Sequence, residues 1–214
     1  MSVLPVIETF SSIQGESTHA GKRCFFIRLA GCNLRCNYCD TAYAMSGGSE
    51  RTVAELTSEA VASGMDIAEI TGGEPLVHPA TPLLAQALLD KGMPVLVETN
   101  GSQDISSLPR GCCRIMDCKT PGSGMAHSNL WSNFSHLTPD DEVKFVVSSA
   151  ADFQWSLDVI GKWKLAEKTP HLIFSPVWGR ISFEELAALV VKSPFPVRMQ
   201  LQLHKLIWGD KTGV

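Results

Sequence analysis

Short apolar runs alternate with longer amphipathic segments along most of this chain, and that alternation limits its fold more than any other feature. Alternation of this kind is typical of βαβ units and therefore of a parallel sheet. It repeats about six times, which is fewer than a closed eight-stranded barrel requires. The sequence therefore predicts an α/β fold, an incomplete (β/α)6-type barrel with a parallel sheet and reduced helical decoration. We expect residues 1–214 to form a single domain.

The boundaries of these predicted elements follow from changes in periodicity and from glycine, proline and capping residues. The expected strands are residues 24–29, 67–71, 94–98, 114–119, 142–147, 172–174 and 197–203, and the expected helices are residues 52–63, 79–89, 152–165 and 182–192. A weak alternation over residues 3–10 predicts an edge strand, and the polar, glycine-containing composition of residues 11–22 predicts a loop. Residues 129–137 predict a short helix. Ser182 and Glu185 are spaced as a capping box for the last helix.

Polar and glycine-containing segments follow the predicted strands again and again. They are the cysteine-rich loop 32–39, Gly72-Gly73-Glu74-Pro75, Thr99-Asn100-Gly101, Asp117 and His204. The carboxyl ends of parallel strands gather on one rim of a barrel, and enzymes of this architecture place their sites there. The sequence therefore predicts one site on that rim.

Cys32, Cys36 and Cys39 are spaced C-x3-C-x2-C, and no fourth cysteine follows nearby. Three thiolates are soft ligands that hold one face of a metal centre and leave a position open. Buried apolar cysteines are one alternative, and a structural zinc site completed by His19 or Cys24 is another. A disulfide framework is disfavoured because the chain has an odd number of cysteines, 7. The spacing favours an iron–sulfur cluster with an open iron.

Composition limits the partners and the compartment. The net charge is −4 and the basic residues are scattered, which disfavours a general nucleic-acid binder and suits a small anionic substrate. The N-terminus lacks the pattern of a signal peptide, and no apolar run reaches the ~20 residues that span a membrane. Free cysteines predict a reducing cytoplasm.

Several single residues allow two interpretations at this stage. Arg28 interrupts an apolar strand, so it needs either an ion-pair partner or a ligand. Asp40 and Thr41 offer hard oxygen ligands suited to Mg²⁺, or they form an ordinary turn or helix cap. His204 either contacts a substrate on the rim or lies in an exposed tail.

The cysteine motif after the first buried strand, with Gly72-Gly73-Glu74-Pro75 after the second, resembles the radical S-adenosylmethionine (SAM) superfamily. In that superfamily three cysteines bind a [4Fe–4S] cluster, and the methionine end of SAM chelates the open iron. One electron then generates a 5′-deoxyadenosyl radical, which abstracts a hydrogen atom. The resemblance implies these cofactor-binding residues: Tyr38, Gly72, Gly73, Glu74, Thr99, Asn100, Asp117 and Lys119.

Residues 12–16, 39–41, 97–101, 202–205 and 208–210 together resemble the 7-carboxy-7-deazaguanine synthase family. These enzymes are carbon–nitrogen lyases of queuosine and 7-deazapurine biosynthesis. They convert 6-carboxy-5,6,7,8-tetrahydropterin to 7-carboxy-7-deazaguanine with loss of ammonia. The resemblance implies Mg²⁺, a homodimer, and an electron donor such as flavodoxin or ferredoxin.

The same resemblance implies a substrate and metal site. Arg28 is expected to bind the substrate carboxylate, Glu16 or Glu98 to accept from the pterin edge, and Thr41, with Asp40 nearby, to hold Mg²⁺. The full set of expected substrate-binding residues is Ile13, Gln14, Gly15, Glu16, Arg28, Thr71, Glu98 and His204. Ser17 departs from the family pattern, which usually has glycine there. No residue is assigned as a general acid or base.

Two other functions remain open from the sequence. One is a different small radical SAM enzyme, such as an activase for a glycyl-radical enzyme. The other is a non-catalytic zinc-binding scaffold built on the same cysteines.

Overall fold

One mixed sheet of 9 strands forms the body of the protein, with the order β3-β1-β2-β4-β5-β6-β7-β8-β9. This computed structural model describes residues 2–209 and 211–214, so Asp210 of the tail motif 208–210 lies outside the described residues. The strands are β1 Val3–Ile13, β2 Arg23–Leu29, β3 Ser49–Thr52, β4 Ile67–Gly72, β5 Val95–Thr99, β6 Cys113–Asp117, β7 Glu142–Val147, β8 His171–Pro176 and β9 Val197–Met199. The helices are α1 Val53–Ala62, α2 Thr81–Asp90, α3 Ala150–Trp163, α4 Phe183–Val191 and α5 Leu203–Trp208.

The part of the sheet in the order β2-β4-β5-β6-β7-β8-β9 is parallel throughout. This confirms the prediction of an incomplete α/β barrel with a parallel sheet and few helices. The connections from β5 to β6 and from β6 to β7 contain only short 3₁₀ turns. The sheet is therefore covered by helices on part of its outer face.

The first strand is not an edge strand, and this part of the prediction was wrong. β1 pairs antiparallel with β2 on one side and with β3 on the other, where Val3 lies opposite Thr52. It also continues to Ile13, through residues expected to be loop. A four-residue strand of polar composition carries no clear alternation, so β3 could not be predicted from periodicity.

Two segments in the second half also differ from prediction. Of residues 129–137 only Trp131–Ser135 are helical, as a short 3₁₀ helix. Two amide side chains of this segment bind backbone carbonyls: Asn129 donates to Lys119 O and Asn133 to Gly101 O. β9 stops at Met199, where Gln200 turns to bond both the N–H and the C=O of Ser17. The chain then forms α5, which contains His204.

The parallel strands are apolar toward the helices and polar toward the barrel interior. On β7, Val143, Phe145 and Val147 belong to the core under α3 and α4, while Lys144 lines the interior. On β4, Ile70 packs in the core that includes residues of α1 and α2, and Glu69 faces inward. Successive side chains alternate across a sheet, so each strand contributes both to the core and to the site.

The helices α1, α3 and α4 each begin at a residue whose side chain caps the helix. Thr52 and Glu55 form a complete capping box at the start of α1. At α4, Ser182 Oγ accepts the N–H of Glu185, which supplies one half of the predicted box. Among the helices that the structure describes, none is long and apolar enough to cross a membrane.

Candidate active site

A cavity of about 750 Å³ opens inside the barrel and gathers residues from the carboxyl ends of its strands. With one exception, Glu74, every site residue predicted from the sequence lines it. Those residues are Ile13, Gln14, Gly15, Glu16, Arg28, Cys32, Cys36, Tyr38, Cys39, Asp40, Thr41, Thr71, Gly72, Gly73, Glu98, Thr99, Asn100, Asp117, Lys119 and His204. The polar residues at the ends of the predicted strands therefore lie around one common pocket.

The three cysteines of the loop after β2 share one wall of this cavity. Cys32 and Cys36 are half-buried and Cys39 is exposed. The Cys32 sulfur accepts the backbone N–H of Leu34 at 3.5 Å and the Asn100 amide at 3.8 Å. In the part of the chain that the structure describes, the three sulfurs are not grouped within 4.8 Å as ligands of one metal ion. Three cysteine thiolates on one loop are the ligand set that would hold an iron–sulfur cluster with one open position.

Gly72 and Gly73 bring bare backbone against the cysteine loop. Gly72 has φ of +141°, and an added Cβ would collide with the carbonyl of Leu29. A Cβ on Gly73 would collide with the carbonyl of Gly31 and lie 2.8 Å from Cβ of Cys32. Only glycine satisfies both positions, so this rim can come close both to the cluster loop and to a ligand.

Glu74 is fully buried and does not line the cavity. Its carboxylate accepts from Leu76 N at 3.0 Å, Thr99 Oγ1 at 2.8 Å and Asn100 N at 2.6 Å. Burial raises the pKa of Glu74 above its usual value, against the effect of these hydrogen bonds. In this structure the residue fastens the turn after β4 to the turn after β5.

Asp117, Lys119 and Tyr38 form the wall beside the cysteines. Lys119 Nζ donates to Asp117 Oδ2 at 2.6 Å, and Tyr38 Oη donates to the carbonyl of Val146 at 3.0 Å. Burial alone would lower the pKa of Lys119, but Asp117, Cys36 and Tyr38 together outweigh it and raise that pKa. Asp117 Oδ1 and Ser175 Oγ are buried without a partner among the residues described. Both residues line the cavity, so both atoms are available to a ligand.

A charged network lies deeper in the cavity, and sequence reasoning missed two of its members, Lys144 and Glu69. Lys144 Nζ donates to Glu16 Oε2 at 2.9 Å and to Glu98 Oε1. Gln14 Nε2 donates to Glu69 Oε2. The available signal was a charged residue within an apolar run, which is the argument that singled out Arg28.

The network contains one ammonium group, that of Lys144, and the carboxyl groups of Glu16, Glu69 and Glu98. The pKa values of Glu16 and Glu69 are shifted in opposite directions. Burial raises the pKa of Glu69 well above its usual value, and the Glu98 carboxylate adds to the effect. Burial also disfavours ionised Glu16, but the Lys144 ammonium and its hydrogen bond outweigh that, so the pKa of Glu16 is lowered. The interior therefore suits a ligand that donates hydrogen bonds to carboxylates.

Arg28 has the ion-pair partner that its position in an apolar strand requires. Its Nε donates to Glu8 Oε1 at 2.8 Å, and its guanidinium carbon lies 5.7 Å from the ring centroids of Phe10 and Tyr43. The ion pair and the aromatic rings orient the guanidinium at the cavity wall. Within the described residues its terminal nitrogens have no hydrogen-bond acceptor, so they are free for an anionic group.

Asp40 and Thr41 lie at the edge of the cavity. Thr41 Oγ1 donates to Asp40 Oδ1 at 3.0 Å, and Asp40 Oδ2 accepts from Lys205 Nζ at 2.9 Å and Gln202 Nε2 at 3.2 Å. Loss of solvation would raise the pKa of Asp40, but Lys205, Gln202 and Thr41 outweigh it and hold that pKa well below its usual range. Gln202 and Lys205 also line the cavity, and the sequence did not single them out.

The loop after β1 is packed closely against the C-terminal segment. A Cβ on Gly15 would collide with the ring of His204, and Leu203 N donates to Gly15 O at 3.0 Å. Ser17 has φ of +64°, a left-handed conformation that favours glycine. Its Oγ accepts the N–H of His19 at 3.0 Å and so supports the turn locally. His204 lies at the cavity, and not in an exposed tail.

A partial barrel with three cysteines on one rim loop and a glycine-lined shelf beside them defines an iron–sulfur enzyme of the radical SAM type. The family model of the Radical SAM superfamily matches residues 26–190. The 7-carboxy-7-deazaguanine synthase of Chlorobaculum tepidum is 40% identical over 99% of this chain and 97% of its own. That of Koribacter versatilis is 35% identical over 98% of this chain and 99% of its own. The chain belongs to the radical SAM superfamily and, within it, to the 7-carboxy-7-deazaguanine synthase family.

A solved structure shows the same fold. The crystal structure of QueE from Escherichia coli superposes with a TM-score of 0.75 over 92% of this chain and 94% of that one, at 18% identity. Membership of the superfamily implies a [4Fe–4S] cluster and SAM as cofactors, and the thiolates and shelf described above fit both groups.

Proposed function

We propose that this protein converts 6-carboxy-5,6,7,8-tetrahydropterin to 7-carboxy-7-deazaguanine with loss of ammonia, a step in the synthesis of queuosine or another 7-deazapurine. The observation that supports it most is the content of one cavity. Three cysteines line its wall, and the network of Gln14, Glu16, Glu98 and Lys144 lies deeper in it. The similarity to curated synthases over nearly the whole chain supports the same reaction.

The cofactors belong on the wall that carries the cysteines. Cys32, Cys36 and Cys39 hold the cluster, and Gly72 and Gly73 admit the methionine end of SAM to bare backbone. When bound there, the cluster and SAM would supply the radical chemistry that abstracts a hydrogen atom from the substrate. Thr99, Asn100, Asp117, Lys119 and Tyr38 surround the rest of SAM, and Asp117 Oδ1 has an unused acceptor there. Glu74 acts on the cofactor through Thr99 and Asn100.

The substrate belongs over the charged network. A pterin edge carries N–H donors, and Glu16 and Glu98 are acceptors that Lys144 holds in place. The Gln14 side chain, held by Glu69, offers both a donor and an acceptor. The guanidinium of Arg28 faces the same cavity and pairs with the substrate carboxylate. Ile13, Gly15, Thr71 and His204 complete the enclosure.

A magnesium ion belongs near Thr41. Mg²⁺ keeps several waters and takes few protein oxygens, so the Thr41 hydroxyl with the substrate carboxylate is a sufficient set. Asp40 lies 3.0 Å from that hydroxyl and is held ionised by Lys205, so it adds negative charge beside the ion. No side chain is assigned as the acid or base for loss of ammonia.

The partners follow from the same assignment. The reaction needs a one-electron donor, for which flavodoxin or ferredoxin is suitable. Free cysteines suit a reducing cytoplasm. A homodimer is supported by exposed apolar side chains at Trp178, Leu206 and Ile207. Light scattering of the purified protein tests the dimer.

The reaction is tested with anaerobically reconstituted protein, SAM, dithionite and the tetrahydropterin. We expect 7-carboxy-7-deazaguanine and ammonia in equal amounts. Replacing Cys36 by Ala should abolish both the cluster absorbance and the product, while Cys118→Ala, at a buried cysteine outside the site, should keep both. Absence of the product from cluster-loaded protein would contradict the proposal. Hydrogen abstraction from a protein partner without pterin turnover would favour a glycyl-radical activase.

A further inference from the structure

A second group of metal-binding side chains lies at the opposite end of the barrel from the cysteine loop. One ligand atom each of His19, Cys113 and Glu142 lies within 4.8 Å of the other two. Cys113 and Glu142 are the first residues of β6 and β7, and His19 lies in the loop between β1 and β2. The parallel register places β6 and β7 side by side at this end.

Glu142 provides an independent sign of a missing ligand. The residue is fully buried, and its Oε1 accepts from Thr18 N at 2.9 Å and Thr18 Oγ1 at 2.6 Å. Its Oε2 is buried without a hydrogen-bond partner among the described residues. A buried carboxylate oxygen is rarely left unpaired, because its lost hydration is not replaced. A cation among the three side chains supplies the missing partner.

The chemistry of the three side chains selects the cation. An imidazole nitrogen, a thiolate and a carboxylate oxygen form a mixed set that suits Zn²⁺ better than the hard ions Mg²⁺ and Ca²⁺. Cys113 Sγ donates to the Asp140 carbonyl at 3.1 Å, so metal binding releases that proton to solvent. Lys22 Nζ lies 3.1 Å from His19 Nδ1, but it is exposed and free to turn away.

We propose that His19, Cys113 and Glu142 form a zinc site, with water in the fourth position, that fastens the loop after β1 to the amino end of the barrel. The loop contains both His19 and Glu16, and Glu16 is the residue that pairs with Lys144 inside the cavity. Zinc bound at His19 would therefore restrain the loop whose Glu16 lines the cavity. The site is separate from the three cysteines of the cluster.

The test uses cluster-loaded protein, because zinc also enters an empty cysteine loop. Wild type, Cys113→Ser, His19→Gln and the control Cys112→Ser are reconstituted, exposed to zinc chloride and passed over a chelating resin. Cys112 is the adjacent cysteine and donates to a carbonyl at 3.1 Å as Cys113 does, but it lies outside the three-residue group. Iron and zinc are then counted by mass spectrometry, and the zinc K-edge spectrum is recorded.

We expect about four irons per chain in all four proteins, which shows that each is folded and loaded. Zinc should be about one per chain in wild type and Cys112→Ser, with a Zn–S distance of about 2.3 Å. It should fall at least about tenfold in Cys113→Ser and in His19→Gln, the latter a half-buried loop residue whose loss the fold tolerates. Wild type without zinc, or equal zinc in all four proteins, would overturn the proposal.

Discussion

Glu74 Oε2 accepts the backbone N–H of Asn100 across 2.6 Å in a fully buried position. The contact joins the turn after β4 to the turn after β5, and both turns border the cofactor wall. In the segment Gly72-Gly73-Glu74-Pro75 the two glycines therefore face the cavity, while the buried Glu74 joins the two turns that border it.

Replacing Glu74 by Gln should destabilise the protein and weaken SAM binding. Glutamine keeps one acceptor but turns an N–H₂ group toward buried donors, so at least one hydrogen bond is lost in a buried site. We expect the free energy of unfolding to fall by about 1–3 kcal/mol. Urea unfolding and equilibrium dialysis with SAM measure the two effects. Glu184→Gln, on the exposed side of α4, is the control, and equal stability of both variants would contradict this role.

Replacing Arg28 by Lys should raise KM for the pterin more than it lowers kcat. Lysine keeps the positive charge but loses the planar fork that pairs with a carboxylate and stacks on Phe10 and Tyr43. A loss of about 1–2 kcal/mol corresponds to a rise in KM of about five- to thirtyfold. Steady-state kinetics measure it, with Arg198→Lys as the exposed control. An unchanged KM would remove Arg28 from the substrate site.

Replacing Thr41 by Ala should weaken the dependence of the rate on Mg²⁺ while the iron content stays the same. The hydroxyl is the proposed metal ligand, and the neighbouring Cys39 is unaltered. Thr41→Ser keeps the hydroxyl and should restore the Mg²⁺ response. Activity is measured over a Mg²⁺ titration in all three proteins. If alanine and serine behave alike, Thr41 is not a ligand.

Replacing Glu69 by Gln should stabilise the protein at high pH only. An unfolded glutamate titrates near its usual value of 4.5, whereas burial and the Glu98 charge raise the pKa of Glu69 in the fold. Between these two values the folded state holds the extra proton, so the free energy of unfolding falls as the pH rises. Glutamine has no proton to lose there, and its advantage should grow by about 1.4 kcal/mol for each pKa unit of the shift.

Thermal unfolding at about pH 4 and about pH 8 measures this difference. The two proteins should have similar stability at the lower pH, where both states of the wild type are protonated. Glu50→Gln, on an exposed residue of β3, is the control. A gain of the same size at both pH values would contradict the titration of Glu69.

Much of the fold could be predicted because its signals are local. A buried parallel strand such as β2 is a short apolar run, and the prediction of residues 24–29 differs from Arg23–Leu29 by one residue. The first strand was misplaced for the opposite reason. Its position inside the sheet depends on β3, a short polar strand whose pairing partner lies far away along the chain.

Glycine positions were also predictable, but their reason was not. Gly15 was expected to admit a ligand, and it does line the cavity. Glycine is also the only residue type that fits at this position, because a Cβ would collide with the ring of His204, which is far away in sequence. A close contact between distant segments can require glycine at one position. The glycine does not reveal which segment it contacts.

By itself the sequence determined the cluster loop, the parallel sheet and the rim on which the site lies, because cysteine spacing and hydrophobic periodicity are properties of neighbouring residues. Only the tertiary structure decided which charges meet. Glu16 and Lys144 are 128 residues apart, and Cys113 reaches Glu142 and His19 only through the strand register and the path of one loop. Strand order and register bring these residues together, since the alternation within a strand specifies which face a side chain takes but not its neighbour across the barrel.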